Sequence, residues 1–328
     1  MRCALWSAAG AAALVSTGAQ GETLPVAGVY AAGTDAPSRA RSIAIADFSG
    51  RGGERLAFAI DSALRGAVID GRPWFDLTFT APAFGDSYTY DAGADPRGVQ
   101  RGGADAVMRG IAEVEWRDVD SGTKEVEECV TRNSVGTCTE KKKVSYTCRA
   151  RNVTLRPEVR MVSRGGELLY AKGDTRTASR RFCKDEQGTP SVDSIVEELV
   201  GGFAAVVRGD LAPIFRDEEI RVLESRDGLS KSDQATFRTA LRFTKTDVSE
   251  ACAIFGELKQ ANPQSVTLLF NTGLCMESVG ELDTAARLYE EALAVSPRKP
   301  EPQQGLDRIA SRLRAERQFS LREAAAAN

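Results

Sequence analysis

The stretch Val266 to Pro297, VTLLFNTGLCMESVGELDTAARLYEEALAVSP, decides the fold, because part of its pattern has already occurred once in the chain. Ala251, Phe255 and Pro263 return 34 residues later as Ala285, Tyr289 and Pro297. A fixed period of this size marks a stacked repeat, in which one unit cannot bury its apolar face alone and its neighbour completes the core. The end of the chain is therefore expected to be a small solenoid, and hence a docking surface.

Asn271, Gly273, Gly280, Ala292 and Leu293 occupy the helix-packing and turn positions of a tetratricopeptide repeat, which this region resembles over about 232–317. The resemblance implies paired antiparallel helices. Ala251 or Ala285 lets the two backbones approach, Phe255 or Tyr289 fills the space between neighbours, and Pro263 or Pro297 ends the second helix. The copy at 266–297 is the clearer one; in the copy at 232–263, Thr239 takes the place of the expected glycine. A further helix, Pro302 to Arg317, is expected to cap the stack with Leu306, Ile309 and Leu313 inward, ahead of a disordered tail at 318–328. A partner protein is expected on the concave face near Phe270, Asn271, Leu274 and Glu277, since the first helix of each repeat usually lines that face.

At the other end, Arg2 and an uncharged apolar run from Ala4 to Val15 precede small residues and Glu22. This is the pattern of a cleaved secretory signal over 1–21, and about a dozen apolar residues are too few to span a bilayer. Cys3 precedes the run, so no lipid anchor is expected. The expected location is periplasmic or outer-membrane associated, reached by export with cleavage of the signal.

Beyond that segment lie Cys129, Cys138, Cys148, Cys183, Cys252 and Cys275, an even set that reads as disulfides in an exported chain. They lack the close pairing of a zinc cluster, so no metal is expected, and no cofactor either. The chain has no histidine, which removes catalytic triads, Cys-His dyads and His-ligated zinc. A formal charge of -3 argues against a general nucleic-acid binder. With 328 residues and 42% hydrophobic content, two domains are expected.

Residues 22–41 are rich in Gly, Ala, Ser and Pro and read as a flexible lead-in to an α/β domain over 42–217. Ser42 to Phe48 reads as a strand, Glu54 to Val68 as a helix and Pro73 to Phe79 as a strand, followed by a weakly patterned 82–104. Met108, Ala112, Val114 and Trp116 then alternate with Arg109, Glu113 and Glu115, as in a half-buried strand. A cysteine-bearing excursion is expected at 124–151. After it, Val153, Leu155, Val159 and Met161 alternate with charged residues, and Gly165-Gly166 turns into a strand from Leu168 to Ala178. Val192 to Val207 reads as a helix capped by Ser191, and 218–231 as a linker.

Counting outward from that turn places Cys148 opposite Cys183, at a hydrogen-bonded site unless a bulge intervenes. Cys129 and Cys138 are expected to close a hairpin around Asn133 to Gly136. Cys252 and Cys275 come to one end of antiparallel helices, where either a disulfide or buried thiols are expected.

Phe48 to Glu54 places glycines between strand and helix, but the sequence follows neither nucleotide fingerprint and reads as a structural turn. Asp47 and Asp61 are the candidates for a paired-carboxylate hydrolase, with nothing in the pattern to bring them together. Lys141, Lys142 and Lys143 follow an acidic stretch. Such blocks pair across a sheet, or else form a basic rim for an anionic envelope polymer or lipid head group.

Ser42 to Phe48, the Leu56 to Leu64 helix, Phe75 to Phe79, Gly103 to Val107 with Gly110, the late hairpin and the 192–207 helix together resemble the curli assembly/transport component family. That resemblance implies a mixed sheet flanked by helices, and work at the bacterial envelope in secretion channels or as periplasmic regulators. The missing lipid-attachment cysteine and the charge of 124–151 depart from the channel members. The expectation is an exported, non-enzymatic envelope adaptor that assists secretion or envelope assembly. The alternatives are a homo-oligomeric secretion-channel subunit and a carboxylate-dependent hydrolase.

Overall fold

The computed structural model describes residues 22–79, 104–186 and 188–326, and the side chains of Asp47, Phe79 and Ala326 are not described. The expected signal segment and most of 82–104 lie outside the described residues. The chain forms two compact units, one of Val29–Phe215 with Ser311–Asn328, the other of Met1–Gly28 with Arg216–Ala310.

The α/β unit is built on strands that alternate apolar and charged residues. Its sheet contains β2 (Ser42–Ser49), β5 (Asp76–Phe79), β6 (Ala106–Arg132), β7 (Cys138–Ser163), β8 (Leu168–Gly173) and β9 (Arg176–Cys183), in the order β5-β2-β6-β7-β8, with β9 also on β7. β2 is parallel to β5 and β6, and the remaining pairings are antiparallel. A small hairpin, β3 (Val68–Ile69) and β4 (Arg72–Pro73), turns at Asp70 and Gly71, both at positive φ. Helices α1 (Gly53–Arg65) and α2 (Val192–Leu211) pack side by side against this sheet. Ile43, Ile45, Met108, Leu155 and Met161 meet Leu56, Ile60, Val196 and Phe203 in one core. Because strand side chains alternate, the residues between these point to the opposite face, where Arg109, Glu113, Arg156 and Arg160 are exposed.

The expected excursion is instead a continuation. β6 and β7 run 27 and 26 residues, which at about 3.3 Å per residue makes each on the order of 90 Å long. β2 pairs with β6 only as far as Ile111, β9 covers β7 from Leu155 to Cys148, and beyond these points the two strands are in register with no other strand among the described residues. The sequence suggested a break because this ribbon is charged on both faces and has no hydrophobic period. The expected strand Leu168 to Ala178 is likewise two strands, interrupted at 174–175.

The Gly165-Gly166 turn is wider than a two-residue loop. Ser163 and Glu167 close it, and a bulge between Met161 and Val162 then restores the counted register, Met161 opposite Tyr170 and Cys148 opposite Cys183. The change of phase has a consequence at the far end. Lys184 N–H donates to Thr147 O at 3.2 Å, so the cysteine pair occupies a non-hydrogen-bonded position with Cα atoms 4.0 Å apart.

Residues 22–41 are not a lead-in. β1 (Thr23–Tyr30) pairs with β10 (Ile214–Arg221), and Leu24, Val26 and Tyr30 are buried. A period of two was present there beneath a loop-like composition, and β10 replaces the first part of the expected linker. The tail is also ordered as helix, since α7 runs Pro300–Ala326. Its residues in the α/β unit are held by Gln318, fully buried, whose amide accepts from Ala32 N–H at 2.9 Å and donates to Asp35 Oδ1 at 2.7 Å. Phe319 meets Trp74 edge-on, and the Arg322 guanidinium lies 4.7 Å over the same ring.

The second unit contains α3 (Lys231–Phe243), α4 (Val248–Ala261), α5 (Val266–Ser278), α6 (Leu282–Val295) and the first part of α7. Ser230, Asp247 and Ser265 cap α3, α4 and α5 by accepting a backbone N–H three residues on. α4 and α6 begin 34 residues apart, as the sequence period requires. The buried Tyr289 ring is flanked by Gly273 of α5 and Gly305 of α7; a Cβ at either position would lie 2.7 or 2.4 Å from ring carbons. Only glycine permits that approach.

Candidate functional sites

The four residues expected to meet a partner are not at the surface. Phe270, Asn271, Leu274 and Glu277 are all at most 1% exposed. Asn271 clasps the backbone of Leu223, accepting its N–H at 2.8 Å and donating to its carbonyl at 2.9 Å. Phe270 stacks obliquely on Tyr289. Glu277 receives Arg308 through Nε at 2.9 Å and Nη2 at 2.6 Å, and the Tyr289 hydroxyl at 2.7 Å. Burial, then Glu277's charge and hydrogen bond, push the Tyr289 phenol far above its ordinary value, so it remains a donor to Glu277. In so short a stack α5 is the central helix, enclosed on every side. No open concave face is lined by these side chains.

The cysteines form three disulfides, Cys129–Cys138, Cys148–Cys183 and Cys252–Cys275. The first crosses the tip of the ribbon, the second stands at its root, and the third joins α4 to α5. Cys183, Asp185 and Glu186 cluster closely enough to suggest a cation site. However, the sulfur is bonded to Cys148, and both carboxylates lie 3.0 Å from Lys124 Nζ.

In the glycine turn before α1 two glycine amides are already engaged by the backbone. Gly52 N–H donates to Ala112 O and Gly53 N–H to Gly50 O, while a Cβ on Gly53 would strike Phe48 O at 2.3 Å. These glycines permit close packing of turn on strand. Asp61 forms a two-pronged pair with Arg65 one helical turn on, and the Asp47 side chain lies outside the described residues.

Lys142 and Lys143 stand opposite Glu128 and Glu127, Lys141 Nζ lies 3.2 Å from Glu127, and Tyr146 donates to Glu128. The acidic and basic blocks therefore answer one another across the ribbon. Further in, Arg151 forks onto Asp118 with two 2.8 Å bonds and lies between the rings of Trp116 and Phe182. The Arg151 hydrogen bond outweighs desolvation and holds the Asp118 carboxyl below its ordinary range.

Sequence reasoning missed one polar cluster. Asp210 Oδ2 accepts the Tyr170 hydroxyl at 2.8 Å and lies 3.2 Å from Lys172 Nζ, beside an open depression of about 510 Å³ lined also by Gly33, Thr34 and Leu168. Burial, aided by the Asp210 bond, pushes the Tyr170 phenol far up and makes it a fixed donor. Lys172 and Asp210 meet only through the packing of α2 on the sheet, so no local motif announces them.

No protein-family model matches this chain, and no curated protein matches it. Among solved structures it is similar to a point mutant of MamA, at 15% identity over 30% of this chain and 74% of that one, with a TM-score of 0.23. It is also similar to a putative neuraminyllactose-binding hemagglutinin homologue from Helicobacter pylori, at 9% identity over 53% of this chain and 82% of that one, with a TM-score of 0.23. Likenesses this shallow carry no argument about what the chain does.

Proposed function

We propose that this protein is an exported, non-enzymatic adaptor of the bacterial cell envelope that binds a partner protein through the outer surfaces of its C-terminal helices. The observation that carries this reading is the enclosure of α5. With that helix buried, the exposed side chains of α3, α4 and α6, among them Arg238, Arg242, Glu257 and Glu290, are what the helical module offers. Three disulfides distributed over both units support folding in an oxidising compartment. No helix among the described residues is long and apolar enough to cross a membrane. Assistance in secretion or envelope assembly is the role that fits this location.

Photo-crosslinking side chains placed at 238, 242 and 290 of the full chain test the proposal. We expect one recurrent protein adduct from neighbouring positions in envelope fractions. Reduced protein in the cytosol, or no adduct from any exposed helix, would overturn it.

The unpaired edges of the β6–β7 ribbon favour a second reading, an oligomeric subunit of a curli-type secretion channel. Ring-shaped particles in detergent would support it. Glu127, Glu128, Lys142 and Lys143 weigh against insertion of this ribbon into lipid.

A further inference from the structure

We infer that the open face of the central sheet carries an oxyanion-binding site built on Arg109 and Arg160, and that its ligand is a phosphate group. Six β6–β7 register pairs join two charged residues. Five are of opposite sign: Glu113 with Arg156, Asp118 with Arg151, Asp120 with Arg149, Glu127 with Lys143 and Glu128 with Lys142. Arg109 opposite Arg160 is the exception. Like charges directly opposite on a sheet destabilise it, and here neither guanidinium has an ion pair or hydrogen bond among the described residues. The carboxylate next along the face of β7, Glu158, stands opposite Ile111 and is bonded to neither arginine.

The surroundings leave room for a ligand. Arg109 and Arg160 are both exposed, and the residue opposite Arg160 on its other side, in β8, is the exposed Ala171. Cβ atoms of directly opposite residues are about 5 Å apart, so two planar forks reach one tetrahedral group. A single arginine suffices to fork a carboxylate, whereas a phosphate has acceptor oxygens and charge for both. Bound phosphate also removes the repulsion between the two guanidinium groups. The anionic partner expected at Lys141, Lys142 and Lys143 is thus assigned elsewhere, to the register pair of β6 and β7 in which, among the described residues, two like charges face each other. This site is independent of the helical module and of the adaptor reading.

The test uses the full chain as wild type, R109A/R160A, R109K/R160K and K141A/K142A/K143A. Each is titrated calorimetrically with inorganic phosphate at low ionic strength and sedimented with phosphatidylglycerol or phosphatidylcholine vesicles. We expect wild type to bind phosphate, R109A/R160A to bind on the order of ten-fold or more weakly, the lysine variant to fall between, and the triple alanine variant to match wild type. Without phosphate, R109A/R160A should melt no lower than wild type, and phosphate should raise the melting temperature of wild type and of the triple alanine variant but not of R109A/R160A. Parallel loss of binding to phosphatidylglycerol would identify a lipid head group as the source; binding of inorganic phosphate alone would identify a free phosphate compound. The inference is overturned if wild type binds neither probe, if R109A/R160A binds as wild type does, or if binding follows Lys141–Lys143 instead.

Discussion

Glu277 in the helical unit and Glu127 in the ribbon are both carboxylates answered by a cation, yet they stand in different solvents. Glu277 is fully enclosed and receives three donated hydrogen bonds, from Arg308 and Tyr289. Glu127 is about half exposed and lies 3.2 Å from Lys141, with water available to both. The first arrangement offsets the desolvation of its charges only while it is complete and is costly to break, because removing one member strands a charge in a medium of low polarity. The second contributes little in either direction. The helical unit is therefore held by burial, and the ribbon by backbone pairing and its cystines.

Arg308→Met is the harshest test of that contrast. It should cost about 3–5 kcal/mol in urea unfolding of the helical unit, and a loss below about 1 kcal/mol would mean that Glu277 is not sealed as its environment implies. Gly305→Ala comes next, because the added methyl meets the Tyr289 ring and overpacking typically costs about 1–3 kcal/mol; a thermal melt reads it. Asp105→Asn should cost about 1–2 kcal/mol at neutral pH. Burial works to raise the Asp105 carboxyl, but hydrogen bonds from Ser42 and Arg41 outweigh it and hold the group below its ordinary range. Its folded value is thus below the unfolded one, so its stabilisation is present above about pH 4 and drains away as pH falls through the folded value. The gap between wild type and Asp105→Asn should close in acid; a gap that widened there would reverse the assignment. Glu127→Gln should change stability by no more than about 0.5 kcal/mol, and a larger loss by chemical denaturation would erase the distinction between the two regions.

The half-buried strands were readable because their alternation is strict. Met108, Val114, Leu155 and Met161 face the helices, as the charges between them require. The outer ribbon was not readable as strand. Its order lies in which residue faces which, and Glu127 opposite Lys143 becomes visible only once the turn and bulges are known. The same holds for Arg109 and Arg160, unremarkable singly and anomalous as a pair. α5 did carry a usable signal. Val266 to Met276 is apolar around nearly its whole circumference, and such a helix belongs inside. Assigning its face by analogy with longer solenoids overlooked that two helical pairs, with α7 against Glu277 and Leu223 against Asn271, leave the middle helix no free side.

Among the described residues the cystines join cysteines in order of occurrence: first with second at 129 and 138, third with fourth at 148 and 183, fifth with sixth at 252 and 275. No loop is threaded inside another. Each sulfur's native partner is therefore an adjacent cysteine in the sequence. Pairing successive cysteines from Cys129 onward reproduces the native set without any crossing of loops.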